Sequence, residues 1–141
     1  DINGTMRSLH NMANKYTVLY IYDPDCGHCK KETPKLVAFK NSTKMDVGVY
    51  TVGGDTSMTK IQKYVKDMGM EKFVNTCFYY SAVGNYRDLY DAETTPTIYI
   101  IDREKKIIGR KLPSADEIGP FLERYEKFQA AKNKAATKTS P

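Results

Sequence analysis

Cys26 and Cys29 stand two residues apart inside Asp23-Pro24-Asp25-Cys26-Gly27-His28-Cys29-Lys30-Lys31-Glu32. Residues before Asp23 read as a strand and those after Cys26 as a helix, so Cys26 falls at a helix N-terminus. Unpaired N–H groups and the positive end of the helix dipole favour a thiolate there, and the thiolate is the species that attacks disulfides. Cys26 is therefore the candidate nucleophile. Cys29 lies one helical turn deeper, close enough for a disulfide to form without moving the backbone, and is the candidate resolving partner. Asp23 and Asp25 oppose ionisation of Cys26, whereas a protonated His28 favours it.

Glu32 adds a third group. It follows Cys29 by three and precedes Leu36 by four, so it shares the apolar stripe of the helix. A carboxylate in that position is expected to be partly buried with a raised pKa, suited to take the proton of Cys29. Pro96, in Thr94-Thr95-Pro96-Thr97, precedes a strand. A cis Thr95–Pro96 bond would turn Thr95 toward the dithiol and let it pair with an extended substrate chain. Cys77 sits among Val74, Phe78 and Tyr79 and reads as a buried free thiol. His10 reads as a surface residue, and Tyr20 and Tyr22 as residues bordering the site.

The elements that must position these groups follow from periodicity. Tyr16–Tyr22 is a continuous β-branched and aromatic run, suited to a central strand covered on both faces. A helix is expected from Gly27 to Lys40, kinked or loosened at Pro34. Met45–Val52 reads as a second buried strand. Thr56 or Ser57 can cap a helix to about Asp67 that stops at Gly69. Residues 1–15 form a lead-in, with a turn at Asn3-Gly4 and an edge strand over Thr5–Leu9. Phe73–Tyr80 has no clear period, and Asn85–Tyr90 reads as a short helix. Thr97–Ile101 and Lys106–Gly109 form a hairpin through Asp102–Lys105. Ser114 with Glu117 three residues on is a capping-box pattern opening a last helix, with Ile118, Leu122, Tyr125 and Phe128 on its apolar side.

The order is α/β: strands joined through helical crossovers pair in parallel, and a C-terminal antiparallel hairpin completes a central mixed sheet flanked by helices. The active site is expected at the C-terminal ends of the parallel strands. Residues 1–130 form one domain, and 131–141 read as a flexible tail.

Composition narrows the classes further. The 141 residues are 40% apolar and 28% charged, an ordinary globular balance. The net charge of +5 comes from lysines spread along the chain, densest in Lys132–Lys138, which reads as solvated surface, not a nucleic-acid footprint. No apolar run reaches the roughly 20 residues that span a bilayer. Residue 1 already has the character of mature sequence, so an exported protein would be represented here by a processed chain or an excised domain. Three cysteines are too few for a disulfide scaffold.

The motif, the strand order and Thr95-Pro96-Thr97 together resemble the thioredoxin superfamily, and in particular its TlpA/ResA-like branch of bacterial envelope thiol–disulfide oxidoreductases. That branch shows C-x-x-C-K-x-E-x-P, matched by Cys26-Gly27-His28-Cys29-Lys30-Lys31-Glu32-Thr33-Pro34. The resemblance covers about residues 5–128. It implies a thioredoxin-like fold and a redox-active Cys26–Cys29 disulfide with no other cofactor and no metal. It also implies proton transfer supported by Glu32, and a substrate surface of Gly27, His28, Thr95 and a cis Pro96. The implied partners are cysteine-containing exported proteins and an upstream thiol–disulfide electron donor. The implied setting is the periplasm or envelope of a Gram-negative bacterium, as a monomer that a larger protein could tether to the membrane. The family usually has tryptophan before the first cysteine, where this chain has Asp25. Its usual job is reduction, while the Gly-His pair matches the more oxidising disulfide isomerases.

Other classes are weaker. A Cu(I) or metal-binding module would use Cys26, Cys29 and His28, but zinc wants four ligands. A peroxidase relative needs a P-x-x-x-T/S-x-x-C setting that the sequence lacks. A protein-binding domain with a vestigial dithiol is the least chemical alternative.

Overall fold

The structure is a computed structural model that describes residues 2, 8–54, 57–77 and 95–139. Its centre is β1 (Tyr16–Tyr22), every residue of which is buried. Alternation sends Tyr16, Val18, Tyr20 and Tyr22 to one face, and Leu19 and Ile21 to the other. Along the chain β1 is followed by α1 (Gly27–Ser42), β2 (Val47–Gly53), α2 (Met58–Met68), β3 (Val74–Cys77), β4 (Thr97–Asp102), β5 (Ile107–Gly109) and α3 (Ile118–Thr139). The five strands lie in the order β3-β2-β1-β4-β5. β2 pairs with β1 and β3 in parallel, while β4 runs antiparallel to β1 and β5.

The face of Tyr16, Val18, Tyr20 and Tyr22 is covered by the three described helices, through Cys29 and Leu36 of α1, Ile61, Tyr64 and Val65 of α2, and Ile118 and Leu122 of α3. The other face gathers Leu19, Ile21, Tyr50, Tyr99 and Ile101, against which Leu9 and Met12 pack. The expected α/β thioredoxin-like fold, a mixed sheet flanked by helices, is the one observed. Ser57 caps α2 by accepting from the Lys60 N–H, and Gly69 ends it with φ 72° in the left-handed region that only glycine enters without a steric cost.

Several expectations change. Phe73–Tyr80 contains a strand, β3, whose four residues include the buried polar pair Asn75 and Thr76 and so lack an apolar run. Leu9 belongs to a 3₁₀ turn (Leu9–Asn11) capped by Ser8, not to an edge strand. Residues 3–7, Thr56 and the expected helix Asn85–Tyr90 lie outside the described residues. α1 runs on to Ser42 through Pro34. Phe128 is 64% exposed, not on the buried side of α3, which extends to Thr139. No described helix is long and apolar enough to cross a membrane.

Candidate active site

The chain leaves the C-terminal end of β1 through a β-turn. The Cys26 N–H donates to the Asp23 carbonyl at 3.0 Å, with Pro24 at the turn's second position, where its fixed φ suits it. Asp23 also accepts the Asp25 N–H on Oδ1 at 2.9 Å. This turn delivers Cys26 as the N-cap of α1, its Sγ accepting the Cys29 N–H at 3.3 Å. Sulfur thus fills the capping role that a Ser or Asp oxygen usually takes.

The two thiols occupy different environments. Burial works against ionisation of Cys26, but hydrogen bonds with the Thr95 and Cys29 side chains and the Cys29 and His28 backbone outweigh it, and its pKa is lowered. In the protonated state its S–H also donates to the Thr95 carbonyl at 3.5 Å. Cys29 is fully buried, and burial pushes its thiol up to about 12. Both are free thiols in this structure. The arrangement holds an accessible, easily ionised sulfur beside a sheltered one that stays protonated.

Thr95 and Pro96 come from the loop before β4, and their peptide bond is cis. Together with His28, Thr97, Lys111, Leu112 and Pro113 they line a groove of about 290 Å³ next to Cys26. A larger cleft of about 720 Å³ lies at the other end of β1, between the β4–β5 hairpin and α3. It is lined by residues such as Lys15, Tyr16 and Glu126, with no cysteine among them.

Asp25, directly before the nucleophile, is ion-paired with Lys60 of α2. Its negative charge therefore does not act alone on Cys26. Tyr20 and Tyr22 are fully buried beneath α1 and do not border the opening. Tyr20 bonds through its hydroxyl to Thr33 Oγ1 at 2.9 Å, and Tyr64 does the same at 2.9 Å. Thr33 in turn donates to the Cys29 carbonyl at 2.8 Å. A hydroxyl has one proton and two lone pairs, so both tyrosines must donate to Thr33. Cys77, at the end of β3, is half-buried against Met58, 3.6 Å from its sulfur, and burial raises its pKa.

Glu32 corrects an expectation. It is 3% exposed, yet its pKa is lowered, not raised. Burial does oppose its charge, but Oε2 accepts from the Ala115 N–H at 2.8 Å and the Ser114 hydroxyl at 2.9 Å, and Oε1 from Lys35 at 3.1 Å. Two of the partners that reverse the shift, Ser114 and Ala115, come from a segment more than eighty residues away. Sequence periodicity could find the burial of Glu32 and of Thr33, four residues after Cys29 on the same stripe. It held no sign of Lys60, Ser114 or the Lys111–Pro113 wall. Gly27 opens α1 between the two cysteines, with open space around its Cα. Among the described residues no three of His, Cys, Asp and Glu converge on a point that could hold a metal.

The AhpC/TSA family matches residues 1–110. The chain belongs to that family. Comparison with curated proteins found no match. Among solved structures, this AhpC/TSA-family chain superposes on a domain of a possible thiol-disulfide isomerase from Cytophaga hutchinsonii with a TM-score of 0.82. The two are 30% identical over 93% of this chain and 88% of that one. It shares the fold of the thioredoxin domain of a Bacteroides vulgatus thiol-disulfide oxidoreductase (TM-score 0.75, 22% identity, 87% of both chains). It also shares the fold of a secreted Mycobacterium tuberculosis disulfide oxidoreductase homologous to E. coli DsbE (TM-score 0.63, 19% identity, 78% of this chain and 81% of that one). The AhpC/TSA-family domain is thus a thioredoxin-like member with structural kin among thiol–disulfide oxidoreductases.

Proposed function

We propose that the domain reduces disulfides in exported proteins through the Cys26–Cys29 pair. The observation that carries this reading is the placement of Cys26, a helix N-cap with a lowered pKa beside the Thr95–Pro96 loop, one turn from a buried Cys29 with a raised one. The Cys26 thiolate attacks one sulfur of a substrate disulfide, forming a mixed disulfide and expelling the other sulfur as a thiolate, which takes up a proton. Cys29 then attacks Cys26 Sγ and its proton passes to the departing substrate sulfur, closing the Cys26–Cys29 disulfide and releasing the second substrate thiol. Two electrons pass from the domain to the substrate, and an upstream dithiol restores the pair.

The groove is the surface where an extended substrate chain would lie, with His28 contributed by α1, next to Gly27, and Thr95 and Pro96 by the loop before β4. The direction of electron flow rests on the TlpA/ResA-like resemblance. Work in the cell envelope is consistent with the secreted relative from Mycobacterium tuberculosis. Thiol redox titration tests the reading. One reversible two-electron step is expected, lost in Cys26→Ser, together with catalysed reduction of insulin disulfides. Copper or zinc bound at equal stoichiometry with no catalysed reduction would favour the metal-binding alternative instead.

A further inference from the structure

The contacts of Glu32 with the segment leading into α3 connect two parts of the site that the sequence separates. Glu32 lies one turn beyond Cys29 on α1. Its carboxylate accepts from the Ser114 hydroxyl and the Ala115 N–H, which sit at the start of a 3₁₀ turn (Ala115–Glu117) leading into α3. Ser114 itself caps that turn by accepting from the Asp116 N–H at 3.2 Å. Lys35 adds a second strap, reaching both Glu32 at 3.1 Å and Asp116 at 3.2 Å. A carboxylate at a helix start is favoured by the unpaired N–H groups and the dipole, and here it comes from another helix.

The residues just before Ser114 are Lys111, Leu112 and Pro113, which line the same groove as His28. Lys111 has φ 50°, a left-handed conformation that a side-chain-bearing residue holds only when its surroundings enforce it. Leu112 donates its N–H to the Ile98 carbonyl of β4 at 3.1 Å, fixing the wall on one side. The Glu32 contacts fix it on the other. All three donors to the carboxylate, Ser114, Ala115 and Lys35, therefore serve to hold α1 against the segment leading into α3, and the lowered pKa is that of a group held ionised by donors.

We infer that Glu32 is a positioning residue that sets the width of the substrate groove by clamping the Lys111–Pro113 wall to the dithiol helix. It governs how a polypeptide substrate fits, and does not exchange a proton with Cys29. The inference rests on the oxidoreductase reading above for its substrate, but the clamp itself is readable without it.

Two variants test it. In Glu32→Gln and in Ser114→Ala, KM for insulin disulfides should rise about five- to tenfold while kcat stays within about a factor of two. The pH dependence of kcat/KM should keep its inflections, and Ser114→Thr should restore KM. A fall in kcat with KM unchanged and a displaced inflection in Glu32→Gln would overturn the inference in favour of acid–base chemistry. So would a wild-type KM in Ser114→Ala, a milder change in case Glu32→Gln folds poorly. Amide hydrogen exchange reads the clamp directly. Leu112 and Ala115 should lose protection in both variants, and retained protection would refute the clamp even in a domain that reduces no disulfide. Failure of the wild type to exchange disulfides, with that protection lost in the variants, would refute only the oxidoreductase reading.

Discussion

Cys26 and Cys29 are the same side chain in two settings, one capped by N–H groups at the mouth of a groove and one sealed under α1. The difference should be measurable by alkylation. In Cys29→Ala, the remaining Cys26 should react with iodoacetamide along a titration curve below the about 8.5 of a free thiol. In Cys26→Ala, Cys29 should stay inert in the native state until the pH approaches about 12. Equal curves would show that helix capping and burial do not separate the pair. Lys60 bears on the first curve. It neutralises Asp25, the residue directly before the nucleophile. Without it, a bare carboxylate close to Cys26 disfavours the thiolate, so Lys60→Gln should move the Cys26 curve to higher pH. Both partners are well exposed, and the effect should vanish near 1 M salt, where the screening length is about 3 Å. A salt-independent shift would point to a structural change instead. Here sequence reading has a definite limit. The cysteine spacing and the burial of Glu32 are local facts, visible in a stripe of α1. The sign of the Glu32 shift and the neutralisation of Asp25 depend on Ser114, Ala115 and Lys60, which no local pattern ties to them.

At the scale of elements, α1 is held from below by hydroxyls and from the side by the α3 cap. Thr33 sits at the junction of Tyr20, Tyr64 and the Cys29 carbonyl, with no proton or lone pair to spare. Thr33→Val keeps the shape and removes the hydroxyl, leaving two buried phenol donors without their acceptor. Each unsatisfied buried group costs about 1–3 kcal/mol, so a loss of about 2–4 kcal/mol is expected, while Thr33→Ser should lose far less. Urea unfolding checks this, with a lower midpoint and an unchanged m-value as the expected pattern. A change below about 0.5 kcal/mol in Thr33→Val would mean that the tyrosines find other acceptors. The strands and helices around this junction were largely legible, because β1, β4 and α2 carry strong periodic patterns with Ser57 and Gly69 as punctuation. β3 was not. Its Asn75 is buried because its side chain donates to the Met70 and Phe73 carbonyls and accepts from Thr51, bonds that make a polar residue fit a core position. Ser114 was legible as a helix start, but it opens a 3₁₀ turn, and the carboxylate that meets its hydroxyl is that of Glu32 in α1.

For the molecule as a whole, these buried groups bound the pH range in which the fold is stable. Glu32 and Glu126 have lowered carboxyl values, each held down by hydrogen-bonded partners. A group of that kind contributes stability that is fully present above the ordinary carboxylate pKa of about 4.3 and is lost as pH falls through the lowered value. The alkaline side has the opposite sign. Burial raises Tyr16, Tyr20 and Tyr22 well above the phenol range, Tyr64 to about 12 and Cys29 to about 12. These groups favour folding fully below their unfolded values, about 8.5 for the thiol and about 10 for the phenols. That contribution disappears as pH rises toward the folded values, because the unfolded chain ionises first. Tm should therefore be flat between about pH 5 and 8.5, decline modestly below about pH 4, and fall steeply above about pH 10. Eleven tyrosines and no tryptophan make the alkaline limb directly visible as tyrosinate absorbance. Tyr16, Tyr20, Tyr22 and Tyr64 should ionise only in step with the loss of the far-ultraviolet signal. Complete, reversible ionisation of all eleven at a pH where that signal is intact would show that the layer beneath α1 admits solvent, and the raised values of Cys29 and of these phenols would fall together.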